Sequence, residues 1–223
     1  MTTQPIEAND LSQQAISAQL RAQKIVEANG VELIDNLLAI GNALSTRSDI
    51  QDILNLILLK AREITYSDAG SFYLIDQRSQ SPAICFEVSQ NSSQPERSLV
   101  DFAVPMTKET LVGYVAITGE VLNIPDVYSI AMDAPYHHHQ TFDEDISYRA
   151  RSVVVFPMRN AEGVVFGIMQ LINRKLSPDI ILTPENTYEM TQPYSIWEEK
   201  ILRSLVSQAT LFVEHYRLLN PEA

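Results

Sequence analysis

At 223 residues, with 45% apolar and 20% charged side chains, the chain has the composition of one globular domain with extensions, or a tight pair, and not of a disordered segment. Its formal net charge of −12, with no basic stripe, excludes recognition of nucleic-acid phosphates. A single cysteine, Cys85, excludes an internal disulfide and a multi-cysteine metal site, and no apolar run approaches the ~18 residues that span a bilayer. The opening residues, MTTQPIEAND, lack the basic and apolar regions of a secretory signal, so a soluble cytoplasmic protein is expected.

Residues 1–30 read as a polar tail followed by a helical extension, in which Leu11, Ala15, Ala18, Ala22 and Ile25 form a weak heptad-like seam ended by Asn29-Gly30. A second helix is expected over Val31–Leu44. The third opens on the capping-box pattern Ser48-x-x-Gln51, and Ile50, Ile53, Leu54, Ile57, Leu58, Ala61 and Ile64 then trace one helical face. Strands are expected at Gly70–Asp76 and Ala83–Ser89 around the polar turn Gln77–Pro82, with a loop over Asn91–Arg97 and a short strand at Leu99–Val104. Glu109–Thr118 reads as a short helix stopped by Gly119.

Residues 125–147 look irregular, with Thr141-x-x-Glu144 as the cap of one brief helix. The apolar runs Ser152–Met158 and Val164–Ile172 flank the turn Asn160–Gly163 and read as a buried β-hairpin, Gly163 suiting a positive-φ turn position. A polar loop over Leu176–Pro193 leads to a last helix with a second capping box, Ser195-x-x-Glu198. Its seam of Leu202, Leu205, Ala209, Phe212, Tyr216 and Leu219 is expected to pack on the domain and to pair with a partner helix. Helices at both ends of about five strands give an α+β or mixed α/β domain.

No segment carries a nucleotide-phosphate loop, a nucleophile elbow or a zinc-protease helix. His137-His138-His139 reads as a solvated or pocket-side loop, an adventitious metal site being the alternative, because adjacent residues do not converge on one ion. Cys85, mid-strand, reads as a buried inert thiol, with a catalytic or chromophore-bearing thiol as the alternative. The Asp143–Asp145 carboxylates read as a solvated face rather than an acid/base pair. Binding is therefore favoured over catalysis.

Four segments in order, ILNLILLKAREITYSDAGSFYLID, LVGYVAITGEVLNIPDVY, SYRARSVVVFPM and GVVFGIMQLINRK, resemble the GAF domain family of small-molecule sensors found in cyclic-nucleotide phosphodiesterases, adenylyl cyclases and bacterial, including cyanobacterial, signalling proteins. The resemblance implies an α+β fold over residues 31–219, with 220–223 as a tail: a central antiparallel sheet, terminal helices on one face, and a ligand pocket on the other. The pocket would lie under short helices and loops drawn largely from residues 103–158. It implies pocket residues Ser71, Phe86, Glu87, Leu111 and Val112, with Ile146 and Ala150 where cyclic-nucleotide binders carry threonines and Gln170 where they carry glutamate. Asp126, Tyr128, Tyr136, Tyr148 and Arg149 are polar pocket or rim candidates. A bracing set of Asn173, Lys175, Tyr194, Glu198 and Glu199 is implied, with Lys175 paired to Glu198. The expected ligand is a small molecule, with cAMP or cGMP the candidates suggested by the family. Cys85, followed by Phe86, does not suit covalent bilin, and one cysteine does not complete a sulfoxide-reductase cycle. The expected partners are a second copy through the terminal helices and a downstream effector such as a phosphodiesterase, HD-type phosphohydrolase or cyclase. The alternative is a dimerisation or protein-interaction module with a vestigial pocket.

Overall fold

The computed structural model describes residues 49–76, 83–96 and 103–220. The expected helices before residue 49, the turn Gln77–Pro82 and most of Leu99–Val104 lie outside them. In chain order come α1 (Ile50–Thr65), β1 (Ser67–Asp76), β2 (Ala83–Asn91), β3 (Ala103–Val104), α2 (Leu111–Thr118), β4 (Leu122–Ile124), a 3-10 turn (Val127–Ser129) and α3 (Gln140–Asp145). Then follow β5 (Val153–Arg159), β6 (Val165–Lys175), α4 (Thr187–Met190), β7 (Thr191–Gln192) and α5 (Ile196–Leu219). No helix among the described residues is long and apolar enough to cross a membrane.

The strands form one antiparallel sheet in the order β3-β2-β1-β6-β5-β4, with β7 joined to the end of β6. The β5–β6 hairpin supplies the centre, Val154 facing Leu171 and Phe156 facing Met169 across the ladder. Its turn places Gly163 at φ +84°, a conformation that costs a side-chain-bearing residue and leaves glycine unstrained. α1 packs on β1, α5 packs on β5, and the two helices pack on each other. Ile53, Leu54, Ile57, Leu58 and Ala61 of α1 and Leu202, Leu205 and Ala209 of α5 are fully buried. Gly70 permits the close approach of α1: a Cβ there would meet Leu171 Cδ2 at 2.7 Å and Leu58 Cδ1 at 2.9 Å.

Several expectations change. α1 is capped by Asp49, whose carboxylate accepts from the Gln51 amide, so the Ser48-x-x-Gln51 box is not the cap. β1 begins at Ser67 rather than Gly70, because Tyr66 in the left-handed region (φ 53°) ends the helix and turns directly into the sheet. Thr141 lies inside α3 rather than capping it. The loop Leu176–Pro193 contains α4 and β7, and β4 lies within the stretch before the irregular region. These short elements carry too few residues for a periodic pattern to stand out. The capping box at Ser195 is formed as read: Ser195 Oγ accepts from the Glu198 amide while Glu198 Oε2 accepts from the Ser195 amide.

Candidate ligand cavity

The sheet face opposite α1 and α5 is covered by connections rather than by long helices. Between it and those connections lies a cavity of about 420 Å³. Ser71 and Tyr73 of β1, Phe86 of β2 and Gln170 and Ile172 of β6 contribute to it from the sheet. Leu111 and Val112 at the start of α2, the His137–His139 segment, and Ile146, Tyr148 and Ala150 ahead of β5 contribute from the cover. α2 begins where Thr110 Oγ accepts from the Gly113 amide at 3.0 Å and ends at Gly119 (φ +70°). An isolated bridge joins Thr110 to His137, and the His137 amide donates to Glu109 O at 2.8 Å, fastening the histidine run to the start of α2.

The lining is mostly apolar and interrupted by specific polar groups, the usual constitution of a small-molecule pocket. Tyr73 packs against Phe86 with ring centroids 4.4 Å apart and planes tilted by 49°, and donates its hydroxyl to Gln170 Oε1 at 2.7 Å. Burial pushes the Tyr73 hydroxyl well up from its ordinary pKa, so it remains a neutral donor at any physiological pH. Ser71 Oγ donates to Ser89 Oγ at 3.5 Å, a weak contact.

One oxygen organises the cover. Asp143 Oδ2 accepts from the Tyr128 hydroxyl at 2.9 Å and the Ala150 amide at 2.8 Å, and lies 2.9 Å from His138 Nε2. Asp143 is buried, so this carboxylate is not part of a solvated face, although Glu144 and Asp145 are exposed. The three contacts tie the 3-10 turn, the histidine segment, α3 and the approach to β5 into one unit. Desolvation first, then the bond to Asp143, pushes the Tyr128 hydroxyl up to about 12. Arg149 lies over the Tyr128 ring at 4.5 Å.

A second polar cluster fixes this cover to the frame. Tyr148 donates its hydroxyl to Asp68 Oδ2 at 2.9 Å and accepts from Asn173 Nδ2 at 3.0 Å. Asn173, in the left-handed region at φ 61°, also donates to Arg149 O and accepts from the Arg151 amide, clamping 148–151 to the end of β6. Lys175 pairs with Asp68 at 3.3 Å and donates to Pro178 O and Ile180 O at 2.8 Å each. The expected Lys175–Glu198 pair is therefore incorrect. Glu198 pairs with Arg174, the preceding residue, which points to the other side of the strand. Tyr194 is hydrogen-bonded to Ser67 Oγ at 2.7 Å, and Glu199 accepts from Asn123 at 3.1 Å and pairs with Arg203 at 2.7 Å. The Asn123 bond, followed by Arg203, holds the Glu199 carboxyl below its usual range.

Of the residues singled out in the sequence, Ser71, Phe86, Leu111, Val112, Ile146, Tyr148, Ala150 and Gln170 line the cavity. Glu87, Asp126, Tyr128, Tyr136 and Arg149 do not. Asp126 caps the 3-10 turn and lies 3.9 Å from Arg151, while Tyr136 packs edge-on to Tyr114 at 4.8 Å. Cys85 is exposed rather than buried, because it faces opposite to its buried neighbours Ile84 and Phe86. Tyr73 was missed, although its period-two spacing from Ser71 would have placed both on one face. Asp143 was missed for a different reason: its side-chain partners come from three separate segments. Among the described residues no three His, Cys, Asp or Glu side chains are grouped to hold a metal.

The GAF domain family model matches residues 49–211. The chain is 25% identical over 157 residues to the dual 3',5'-cyclic-AMP and -GMP phosphodiesterase 11A of Takifugu rubripes, covering 66% of this chain but only 17% of that enzyme. In fold it is similar to the GAF domain of an Acinetobacter phosphoenolpyruvate-protein phosphotransferase, with a TM-score of 0.60 at 19% identity, covering 85% of this chain and 97% of the other. A Geobacter sulfurreducens GAF domain/HD domain protein aligns with a TM-score of 0.54 at 20% identity, over 78% of this chain and 98% of that one.

Proposed function

This chain belongs to the GAF domain family, a class of regulatory sensor modules, and on that premise we propose that it is non-catalytic and binds a small molecule in the cavity between the sheet and residues 103–150. Binding is read out through the terminal helices of a homodimer. The observation that carries the reading is the construction of the cavity: an apolar chamber of about 420 Å³ whose cover is a separate unit hinged on buried hydrogen bonds to Asp143, Asp68 and Asn173. A ligand that favours the closed cover shifts that unit, and the shift reaches α1 and α5 through Asp68, whose carbonyl accepts from Arg62 of α1, and through Arg174, which holds Glu198 of α5. The helices transmit a signal only if the ligand binds their two arrangements with different affinity.

The dimer is supported by α5, whose outer side carries Trp197, Leu211 and Leu218, each well exposed, with Leu211 and Leu218 seven residues apart. Leu202, Leu205 and Ala209 of the expected seam face the domain while Leu219 at its end is exposed, so the proposed pairing surface is this outer stripe together with the end of that seam. The proposed functional unit is residues 31–219, and its effector is a phosphodiesterase, HD-type phosphohydrolase or cyclase module or partner. The dual phosphodiesterase and GAF/HD relatives suggest this class, and the former makes cAMP and cGMP the first ligands to test.

The test is a thermal-shift panel of cyclic nucleotides, other nucleotides, nucleosides and amino acids. A ligand at a hundred times its dissociation constant stabilises the fold by ~2.7 kcal/mol. A shift with one class identifies the sensor input. Silence across the panel, with dimerisation intact, favours a dimerisation module with a vestigial pocket.

A further inference from the structure

Gln170 brings to the cavity a polar group that the protein uses only in part. Gln170 is 8% exposed, and its carboxamide oxygen accepts from Tyr73. Gln170 lines the cavity, and its Nε2 forms no hydrogen bond with another described residue. That donor is not among the polar atoms sealed from solvent, so a ligand that presents an acceptor there takes the place of water. Next to it stands the Tyr73–Phe86 aromatic pair, with Leu111, Val112 and Ile172 as apolar walls. This arrangement suits a flat ring bearing a carbonyl or ring nitrogen.

The charges point the same way. No lysine or arginine lines the cavity, whereas Asp143 and Asp145 do. The cations close behind the lining are engaged elsewhere. Lys175 is held by Asp68 and two carbonyls, and Arg62 by Gln90, Ser92 and the Asp68 carbonyl. Arg151 is held by the carbonyls of Tyr188 and Thr191, and Arg149 lies on Tyr128. Asp143 Oδ2 is itself occupied by three partners, so it does not become a cation site without dismantling the cover. An anion entering this chamber loses hydration and finds no lysine or arginine on the lining. Ile146 and Ala150 line the chamber with hydrocarbon and provide no side-chain donor for a phosphate oxygen.

We propose that the cavity is selective for an uncharged planar heterocycle with a hydrogen-bond acceptor, of the nucleobase or nucleoside class, received by the Gln170 amide, and that a phosphate on the same molecule weakens binding. This rests on the reading of the cavity as a sensor site and names its ligand class.

The test is titration calorimetry of the full chain at pH 8 with adenosine, guanosine, cAMP and cGMP as probes. At least one nucleoside is expected to bind, its cyclic monophosphate at least tenfold more weakly. Gln170→Glu, which replaces the amide donor by a carboxylate of nearly the same shape, is expected to weaken the nucleoside at least tenfold without altering the melting temperature of the unliganded protein by more than a few degrees. A cyclic nucleotide binding as tightly as its nucleoside overturns the charge argument but leaves the sensor reading standing. Nucleoside binding unaffected by Gln170→Glu overturns the assigned contact. No binding by any of the four probes overturns this ligand class, and the sensor reading then depends on the wider panel.

Discussion

The two faces of the sheet solve different problems with the same strands. On one, α1 and α5 press continuous apolar stripes onto Phe72, Phe156, Met169 and Leu171, and these side chains are fully buried. On the other, short elements and irregular chain are held by single hydrogen bonds that converge on Asp143, Asp68 and Asn173, and a chamber is left beneath them. A face closed by distributed apolar contact resists local opening. A face closed by a few polar hubs can open without unfolding the rest, as a binding site must.

Substitutions can break this contrast in a graded way. The largest effects are expected where either face meets the frame. Phe156→Ala empties a fully buried ring site and should lower stability by about 3–5 kcal/mol. Lys175→Met strands the Asp68 carboxylate, which is 0% exposed, at a similar cost of about 3–5 kcal/mol. Urea denaturation of both variants checks the values, and a loss below 1 kcal/mol for Lys175→Met would show that Asp68 does not depend on it. Asp143→Asn keeps the shape of the hub but removes its charge, and should cost about 1–3 kcal/mol. Hydrogen exchange distinguishes it from the first two: the Ala150 amide should lose protection while amides of α1 and β6 keep theirs.

The pH response is smaller and has a definite sign. Tyr128 titrates near 12 in the folded protein, and Tyr73, Tyr148 and Tyr194 are raised further by burial, against an ordinary value of 10. Their raised pKa values contribute stability that is complete below pH 10 and is lost as pH rises through the folded values, because the unfolded state releases these protons first. Melting temperature should therefore fall between about pH 10 and 12, and Tyr128→Phe should flatten part of that fall. The smallest stability effect is expected at Leu211→Glu on the outer side of α5, within about 0.5 kcal/mol. Sedimentation should nevertheless report a weakened dimer, and an unchanged dimer would remove this stripe as the pairing surface.

The same contrast explains what the sequence disclosed. Periodicity exposed α1, α5 and the β5–β6 hairpin, because each buries a regular stripe and the pattern repeats over several turns or residues. Ser71 and Gln170 were implied by the family resemblance, and the pleat of β1 and β6 turns both to the cavity face. Glu87 and Arg149 lie off the lining, flanking residues that form it in irregular or bulged chain where alternation no longer fixes direction; β1 and β2 shift register between Phe72 and Tyr73. The partner of Lys175 was unreadable for a related reason. Asn173 adopts a left-handed conformation at the end of β6, and the choice between Asp68 and Glu198 rests on which side of the strand each cation then occupies. Asp143 resembled a surface acid because its hydrogen-bond partners lie at 128, 138 and 150, joined only by the fold.

The most direct measurement compares wild type with Val112→Phe, which fills the cavity from the start of α2 and leaves the helix-covered face untouched. Both proteins are titrated calorimetrically with adenosine, guanosine, cAMP and cGMP after circular dichroism has shown that both are folded. If the chamber is the sensor site and takes the proposed ligand class, wild type binds at least one of the four and Val112→Phe binds it at least tenfold more weakly. Equal binding by the two proteins would place the ligand elsewhere and contradict the division of labour between the two faces.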